Sequence, residues 1–427
     1  MAKTKNKETL TPEERLQAVL VPDWEQPYKV PENWCWVHLL DSFENCTNSK
    51  KKIPQKEYLQ GGKIAVVDQG QDLVGGYTNN EEMVFAGNLP IIIFGDHTRC
   101  IKYIDFPFAQ GADGVKVLKP KQFFNSKAFY YAFQTVEIPN MGYRRHFPLF
   151  DRYAIPVPPL PEQQRIVDRI ESLFAKLDEA KQKAQDALDS FETRKAAILH
   201  KAFTGELTAQ WRKEHGVGME SWAKKRFDEV ATIKSNLVDP ATFPDFPHIA
   251  PDNIEKKTGV LLEYNTVSED GVTSGKHRFY PGQILYSKIR PYLSKVVVVD
   301  FDGLCSADMY PIEAKGNTKC LWYYMLSEEF LEQASTAGSR SVLPKINQKE
   351  LSALTVVLPT LSDEQTEIVR ILDDLFAKEQ QAKETAEAVL EQIDLIKKSI
   401  LARAFRGELG TNDPTEESAV ELVRNII

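Results

Sequence analysis

The chain has 427 residues, 42% of them hydrophobic, which leaves room for two or three domains that each bury a core. No apolar stretch marks a signal peptide in Met1-Ala2-Lys3-Thr4-Lys5-Asn6-Lys7, and no run approaches membrane-spanning length. The net charge of −8 gathers on two helical segments and a tail, and five scattered cysteines without CxxC spacing suggest reduced thiols in a cytoplasm, not a disulfide framework or a zinc site.

Residues 1–30 form an arm. Thr11-Pro12-Glu13-Glu14 has capping-box spacing with proline at the first helical position, which predicts a short helix from Pro12 to Leu20. A first globular domain covers 31–158, beginning at Pro31-Glu32-Asn33-Trp34. Short strands are predicted at Lys63–Val67, Met83–Phe85, Leu89–Phe94 and Gly114–Leu118, with a helix over Ser126–Thr135. The stiff Ile155-Pro156-Val157-Pro158-Pro159-Leu160-Pro161 ends the domain, because each proline disfavours helix before it. A first helical rod occupies 159–208. The second globular domain, 209–358, repeats this layout: Trp222 with Phe227-Asp228-Glu229-Val230 echoes Trp34 with Asp41-Ser42-Phe43. Strands are predicted at Gln283–Ile289 and Lys295–Val299, and a helix at Leu321–Gln333. A second rod covers 359–410, and 411–427 is a tail.

The two rods are one segment written twice. Glu162-Gln163, Ile166-Val167, Leu173-Phe174-Ala175-Lys176 and Ala202-Phe203-Thr204-Gly205-Glu206-Leu207 recur as Glu364-Gln365, Ile368-Val369, Leu375-Phe376-Ala377-Lys378 and Ala404-Phe405-Arg406-Gly407-Glu408-Leu409, at a constant offset of 202. Apolar residues at steps of three and four make each copy a heptad seam, broken at Arg194 in one and at Glu379 in the other. No Gly or Pro falls between Glu162 and Thr204 or between Glu364 and Arg406, so each reads as one helix of roughly 60 Å at about 1.5 Å per residue. The fold class expected is α+β: two similar globular domains separated by two long antiparallel helices, related by a pseudo-twofold internal repeat.

Catalytic and cofactor motifs are missing. There is no GxGxxG, no phosphate-cradling GxxxxGK[ST], no Asn-Pro-Pro-aromatic tetrapeptide of an amino-methyltransferase and no histidine metal spacing. The one nuclease-like fragment is Glu313-Ala314-Lys315 with Asp302 or Asp308. Nucleic-acid candidates are cations near aromatics and turns: Lys50, Lys51, Lys52, Arg99, Lys102, Tyr143, Arg144 and Arg145 in the first domain, then Lys234, Lys276, Arg278, Lys288, Arg290, Lys295, Arg340 and Lys345 in the second. Lys288 and Arg290, two apart on a predicted strand, are expected on one face.

Pro158-Pro159-Leu160-Pro161-Glu162-Gln163-Gln164-Arg165-Ile166-Val167, followed by a long helix ending Ala-Phe-x-Gly-Glu-Leu, resembles the specificity subunit of Type I restriction–modification systems. Trp211-Arg212 and Gly282-Gln283-Ile284-Leu285-Tyr286-Ser287-Lys288-Ile289-Arg290-Pro291 fit as well; Leu361-Ser362-Asp363 in the second copy departs from the Pro-rich version. The resemblance implies two target-recognition domains, each reading half of a split double-stranded DNA site, with the helices setting the gap. It implies a non-catalytic cytoplasmic subunit that binds no cofactor. Two modification subunits would carry S-adenosylmethionine, and restriction subunits using ATP and Mg could join. Phe174, Phe203, Gly205, Glu206, Phe376, Phe405, Gly407 and Glu408 are the residues expected to dock the modification subunits. The alternatives are a coiled-coil scaffold that binds only protein, and a stand-alone nuclease.

Overall fold

The computed structural model describes residues 11–337 and 344–427 and divides into two compact units, Met1–Lys183 with Val389–Ile427, and Ala184–Ala388.

In the first unit, Trp34 leads into the strand Cys35–His38, which pairs antiparallel with the outgoing strand Ala154–Val157. A 3-10 turn, Leu39–Asp41, turns the chain into a four-stranded antiparallel sheet ordered Phe43–Asn45, Val115–Pro120, Ile91–Gly95, Ile101–Ile104. The central strand is apolar on both faces because both are covered. Ile92 and Phe94 pack on the helical core with Phe129, Phe133 and Phe150, while Ile91 and Ile93 face Val67 and Phe108 of a smaller sheet. That smaller sheet has Ile64–Val67 in its centre, parallel to Phe108–Gln110 and antiparallel to Gly76–Thr78.

The second unit uses the same plan. Trp222–Arg226 pairs with Thr355–Pro359, and the helical turn Phe227–Val230 feeds a four-stranded sheet ordered Ala231–Ile233, Met309–Ala314, Ile284–Ser287, Val296–Val298. Its strand order matches that of the first unit position by position. The smaller sheet diverges, having five strands here with the parallel pair Pro247–Ile249 and Gly303–Cys305 retained, and the second unit adds the helices Glu328–Ala337 and Gln348–Ala353 before its exit strand.

Each unit also contains an antiparallel helix pair. In the first, Ile166 and Ile170 share a core with Leu401, Ala404 and Phe405, and Asp178 accepts from Lys397 at 2.6 Å. In the second, Leu199, Ala202 and Phe203 meet Ile368 and Leu372, and Arg194 pairs with Glu379 at 2.8 Å. The two polar interruptions of the heptad seam therefore bond to each other. Their repeat equivalents, Ile396 and Leu177, are apolar.

The second repeat helix is continuous, Ser362–Ala404, as expected. The first is not one helix: it runs Leu160–Asp189 and resumes as Phe191–Phe203. The Ser190 hydroxyl and the Arg194 guanidinium both donate to the Ala187 carbonyl, at 3.1 and 3.2 Å, which draws that acceptor from the helix ladder. The helix expected at Leu321–Gln333 is also two, Thr318–Met325 and Glu328–Ala337, because the Ser327 hydroxyl bonds back to Tyr324 at 2.7 Å. Met83–Phe85 is not a strand. The Asn80 side chain caps a 3-10 turn at Glu81–Met83, and Val84 alone bridges to Ala109. The tail is structured: Ala419–Arg424 is helical, and Ala419 and Val423 are buried in the first unit's core beside Leu16 and Val19 of the amino-terminal helix Pro12–Val19.

Candidate nucleic-acid interface

What fixes each globular part to its repeat helix is the Glu-Gln pair at the helix start. Glu162 is fully buried and accepts from the Trp34 indole at 2.7 Å and from Asn412 at 2.9 Å. Glu364, also fully buried, accepts from the Trp222 indole at 3.0 Å, Thr208 at 2.9 Å and Arg212 at 2.7 Å. The neighbouring glutamines hold the N-cap residues of the domain helices Ser126–Phe133 and Thr318–Met325: Gln163 accepts the Asn125 N–H at 2.7 Å, and Gln365 accepts that of Asn317 at 3.0 Å. The repeat motif is thus an anchor, a role that sequence reasoning did not assign to it.

Most of the candidate cations turn out to serve the fold. Lys102 is only 4% exposed and donates to the Asp72 carbonyl at 2.5 Å, with Asp68 at 3.7 Å. Lys276 is 6% exposed, bonds Ser274 at 2.8 Å, and has its pKa lowered by burial. Lys295 ties Pro251 at 2.7 Å, and Arg99, at positive φ, donates to the Ile138 carbonyl at 2.9 Å. These four long side chains end on backbone or side-chain oxygens of neighbouring loops. Lys51 donates to the Glu82 carbonyl at 2.7 Å and Lys52 lies 3.7 Å from the Asp113 carboxylate. Lys234 pairs with Glu313 at 2.8 Å, and Arg278 lies among Phe243, Phe246 and Tyr280 with Asp302 at 3.9 Å. Lys288 and Lys345 share Asp308, at 3.8 and 3.3 Å. Arg340 lies outside the described residues.

The shared face expected for Lys288 and Arg290 does not form. The strand ends at Ser287, and Arg290 sits at φ +48 in the left-handed region. It is exposed, and its guanidinium has no partner among the described residues. Lys50, Arg144 and Arg145 are likewise exposed and unpaired among them.

Arg144 and Arg145 sit on a built loop. Its base is the fully buried His146, which donates from Nδ1 to the Asp96 carbonyl at 2.7 Å and accepts the Met141 N–H at 3.0 Å. The Asp96 carboxylate accepts the Phe147 N–H at 2.7 Å. At the tip, Tyr143 is 98% exposed, with its carbonyl held by His97 Nδ1 at 2.9 Å. Beneath it lies an open hollow of about 390 Å³ lined by Gln69, His97, Thr98, Asn140, Gly142 and Tyr143. Gln69, His97 and Asn140 escaped a sequence reading that searched for cations; the Asn140-Met141-Gly142 turn was the available signal.

The residues expected to dock partner subunits divide in the same way. Phe203 and Phe405 are core residues, Phe203 edge-on to Tyr324 at 5.1 Å, so neither is open to a partner. Phe174 and Phe376 are half-buried under Lys397 and Lys195. Gly205 and Gly407 terminate the helices at positive φ, and Glu206 and Glu408 are exposed. The nuclease-like acids are dispersed onto separate cations, and among the described residues no cluster of His, Cys, Asp and Glu could hold a metal ion. No helix among them is long and apolar enough to cross a membrane.

The family model for the Type I restriction modification DNA specificity domain matches residues 31–188 and 219–392, one match on each copy of the duplicated plan. This chain belongs to that family. Among specificity-family relatives it is 41% identical over 277 residues to the Type I restriction enzyme EcoDI specificity subunit of Escherichia coli, covering 60% of this chain and 62% of that one. It is 26% identical over 289 residues to the EcoKI specificity subunit of Escherichia coli strain K12, covering 61% and 58%. The chain thus matches about three fifths of the length of these relatives. Its fold is that of the HsdS subunit from Thermoanaerobacter tengcongensis, with TM-score 0.57 and 18% identity over 90% of this chain and all of the other. A chain from a structural study of complex assembly in the type I R-M system gives 0.60 at the same identity and coverage.

Proposed function

We propose that this chain is the DNA sequence-specificity subunit of a Type I restriction–modification complex, each unit reading one half of a bipartite site. The observation that carries this reading is a single frame used twice with different surfaces. Strand order, Trp–Glu anchor and Gln cap repeat, while the free candidate side chains differ: Lys50, Tyr143, Arg144 and Arg145 on one unit, Arg290 on the other. Unpaired arginines suit phosphates and guanine edges, and two unlike readers suit an asymmetric site. The repeat helices, which supply residues to both units, set the unread gap. Two modification subunits dock near the exposed Glu206 and Glu408 and bring S-adenosylmethionine; restriction subunits, where present, bring ATP and Mg. This chain contributes recognition and no catalytic group.

The experiment is to express the chain with its modification subunit and map methylated adenines genome-wide. A split, asymmetric motif is expected, and Arg290→Ala relaxes one half of it only. Methylation with no sequence dependence would overturn the reading.

A further inference from the structure

The hollow under Tyr143 has a donor pattern that can be read from its hydrogen bonds. A backbone N–H can only donate, so two such groups fix the orientation of two carboxamides. The His97 N–H donates to Gln69 Oε1 at 3.3 Å, and the Gly142 N–H donates to Asn140 Oδ1 at 3.0 Å. Each amide therefore turns its oxygen toward the backbone, which takes one of its two lone pairs, and keeps its NH2 without a partner among the described residues. His97 donates from Nδ1 to the Tyr143 carbonyl, which leaves Nε2 as an acceptor in the neutral ring.

Gln69 is closely mounted. Thr98 Oγ1 donates to the Gln69 carbonyl at 2.6 Å. Gly114 has φ +87, and a Cβ there would lie 2.5 Å from Gln69 Oε1; one at Gly95 would lie 3.0 Å from Gln69 Cβ. Two glycines thus hold open the place where Gln69 rests. Neutral, directional donors on a fixed base suit a base edge, whereas the flanking Arg144 and Arg145 suit phosphates.

We infer that Gln69 and Asn140 are specificity-determining residues that read the major-groove edge of a guanine in the half-site of the first unit, Tyr143 walling the contact. Guanine shows two adjacent acceptors there, N7 and O6, and its paired cytosine offers the N4 amino donor for His97 Nε2. The inference rests on the DNA-reading function proposed above. The same two NH2 groups could meet phosphate oxygens, and the test separates the two.

Gln69→Glu and Asn140→Asp retain the oxygen that each backbone N–H needs and exchange only the NH2 for an acceptor, so the turn is preserved. The full-length chain with its modification subunits is run against a randomised duplex pool, and selected duplexes are then remade with 7-deazaguanine. The wild type is expected to enrich a guanine in the half-site that Arg290→Ala leaves unchanged, and to lose affinity when N7 is removed. Both variants lose that guanine preference by about 10- to 100-fold and keep the other half-site. Unchanged guanine preference, equal weakening on every sequence (a phosphate contact) or selection of A·T at that position would each overturn the inference. A wild type that enriches no motif at all would instead sink the DNA-reading function itself.

Discussion

Removing the carboxylate of Glu364 should cost the second unit more than removing that of Glu162 costs the first. Both are fully buried and both hold the tryptophan that opens their domain. Their other partners differ. Glu162 accepts from Asn412 and Thr411, which are neutral, so Glu162→Ala orphans neutral donors at roughly 1–3 kcal/mol. Glu364 faces Arg212, itself only 7% exposed and otherwise bonded to Thr208 and the Gly205 carbonyl. Glu364→Ala leaves that cation buried without a counter-charge, at about 3–5 kcal/mol. For a unit of this size, with roughly 2–4 °C per kcal/mol, the melting temperature should fall by about 6–20 °C. The assay is calorimetry combined with hydrogen exchange, which assigns the early transition to peptides of Ala184–Ala388. Arg212→Met in the Glu364→Ala background should recover part of the loss. Equal costs for the two glutamates, or no recovery, would refute the claim that the buried charge dominates.

Burial, with Lys288 nearby, holds the His277 imidazole below its ordinary 6.5, so the unfolded chain takes up that proton first. Its contribution is complete above about pH 6.5 and declines as the pH falls; the second unit should melt lower at pH 5.5 than at 7.5, and His277→Gln should shrink that difference, which paired thermal melts would show. Gly407→Ala places a Cβ 2.5 Å from Pro31 at φ +77 and should destabilise the first unit by at least ~1–2 kcal/mol in urea titration; an unchanged midpoint would count against it. Glu379→Leu alone strands Arg194, whereas combining it with Arg194→Ile installs the residues found at the repeat-equivalent positions, Leu177 and Ile396. The single change should destabilise by about 1 kcal/mol, because the pair is partly exposed, and the double should be neutral or stabilising by chemical denaturation.

The long helices and the duplicated plan were legible because periodicity and offset are properties of the sequence alone. Strands such as Ile91–Gly95 could be located, but not their order in the sheet. The purpose of Glu162 and Glu364 was hidden, since it depends on indoles 128 and 142 residues away. The candidate interface was read least well. Lys102, Lys276 and Lys295 look like surface cations in sequence, and only the fold shows which carbonyls and hydroxyls they reach. The Ser190 break follows from Arg194 folding back on its own helix, a competition that a heptad count does not register.

The placement of Ala419 and Val423 also orders events during synthesis. All of Ala184–Ala388 has been polymerised while the unit that starts nearer the amino terminus still lacks Leu401, Phe405 and the carboxy-terminal helix. On the ribosome, the later-encoded half can therefore finish folding first, reversing the usual vectorial order. A premature stop just ahead of Ala419 would spare that half and cripple the earlier one.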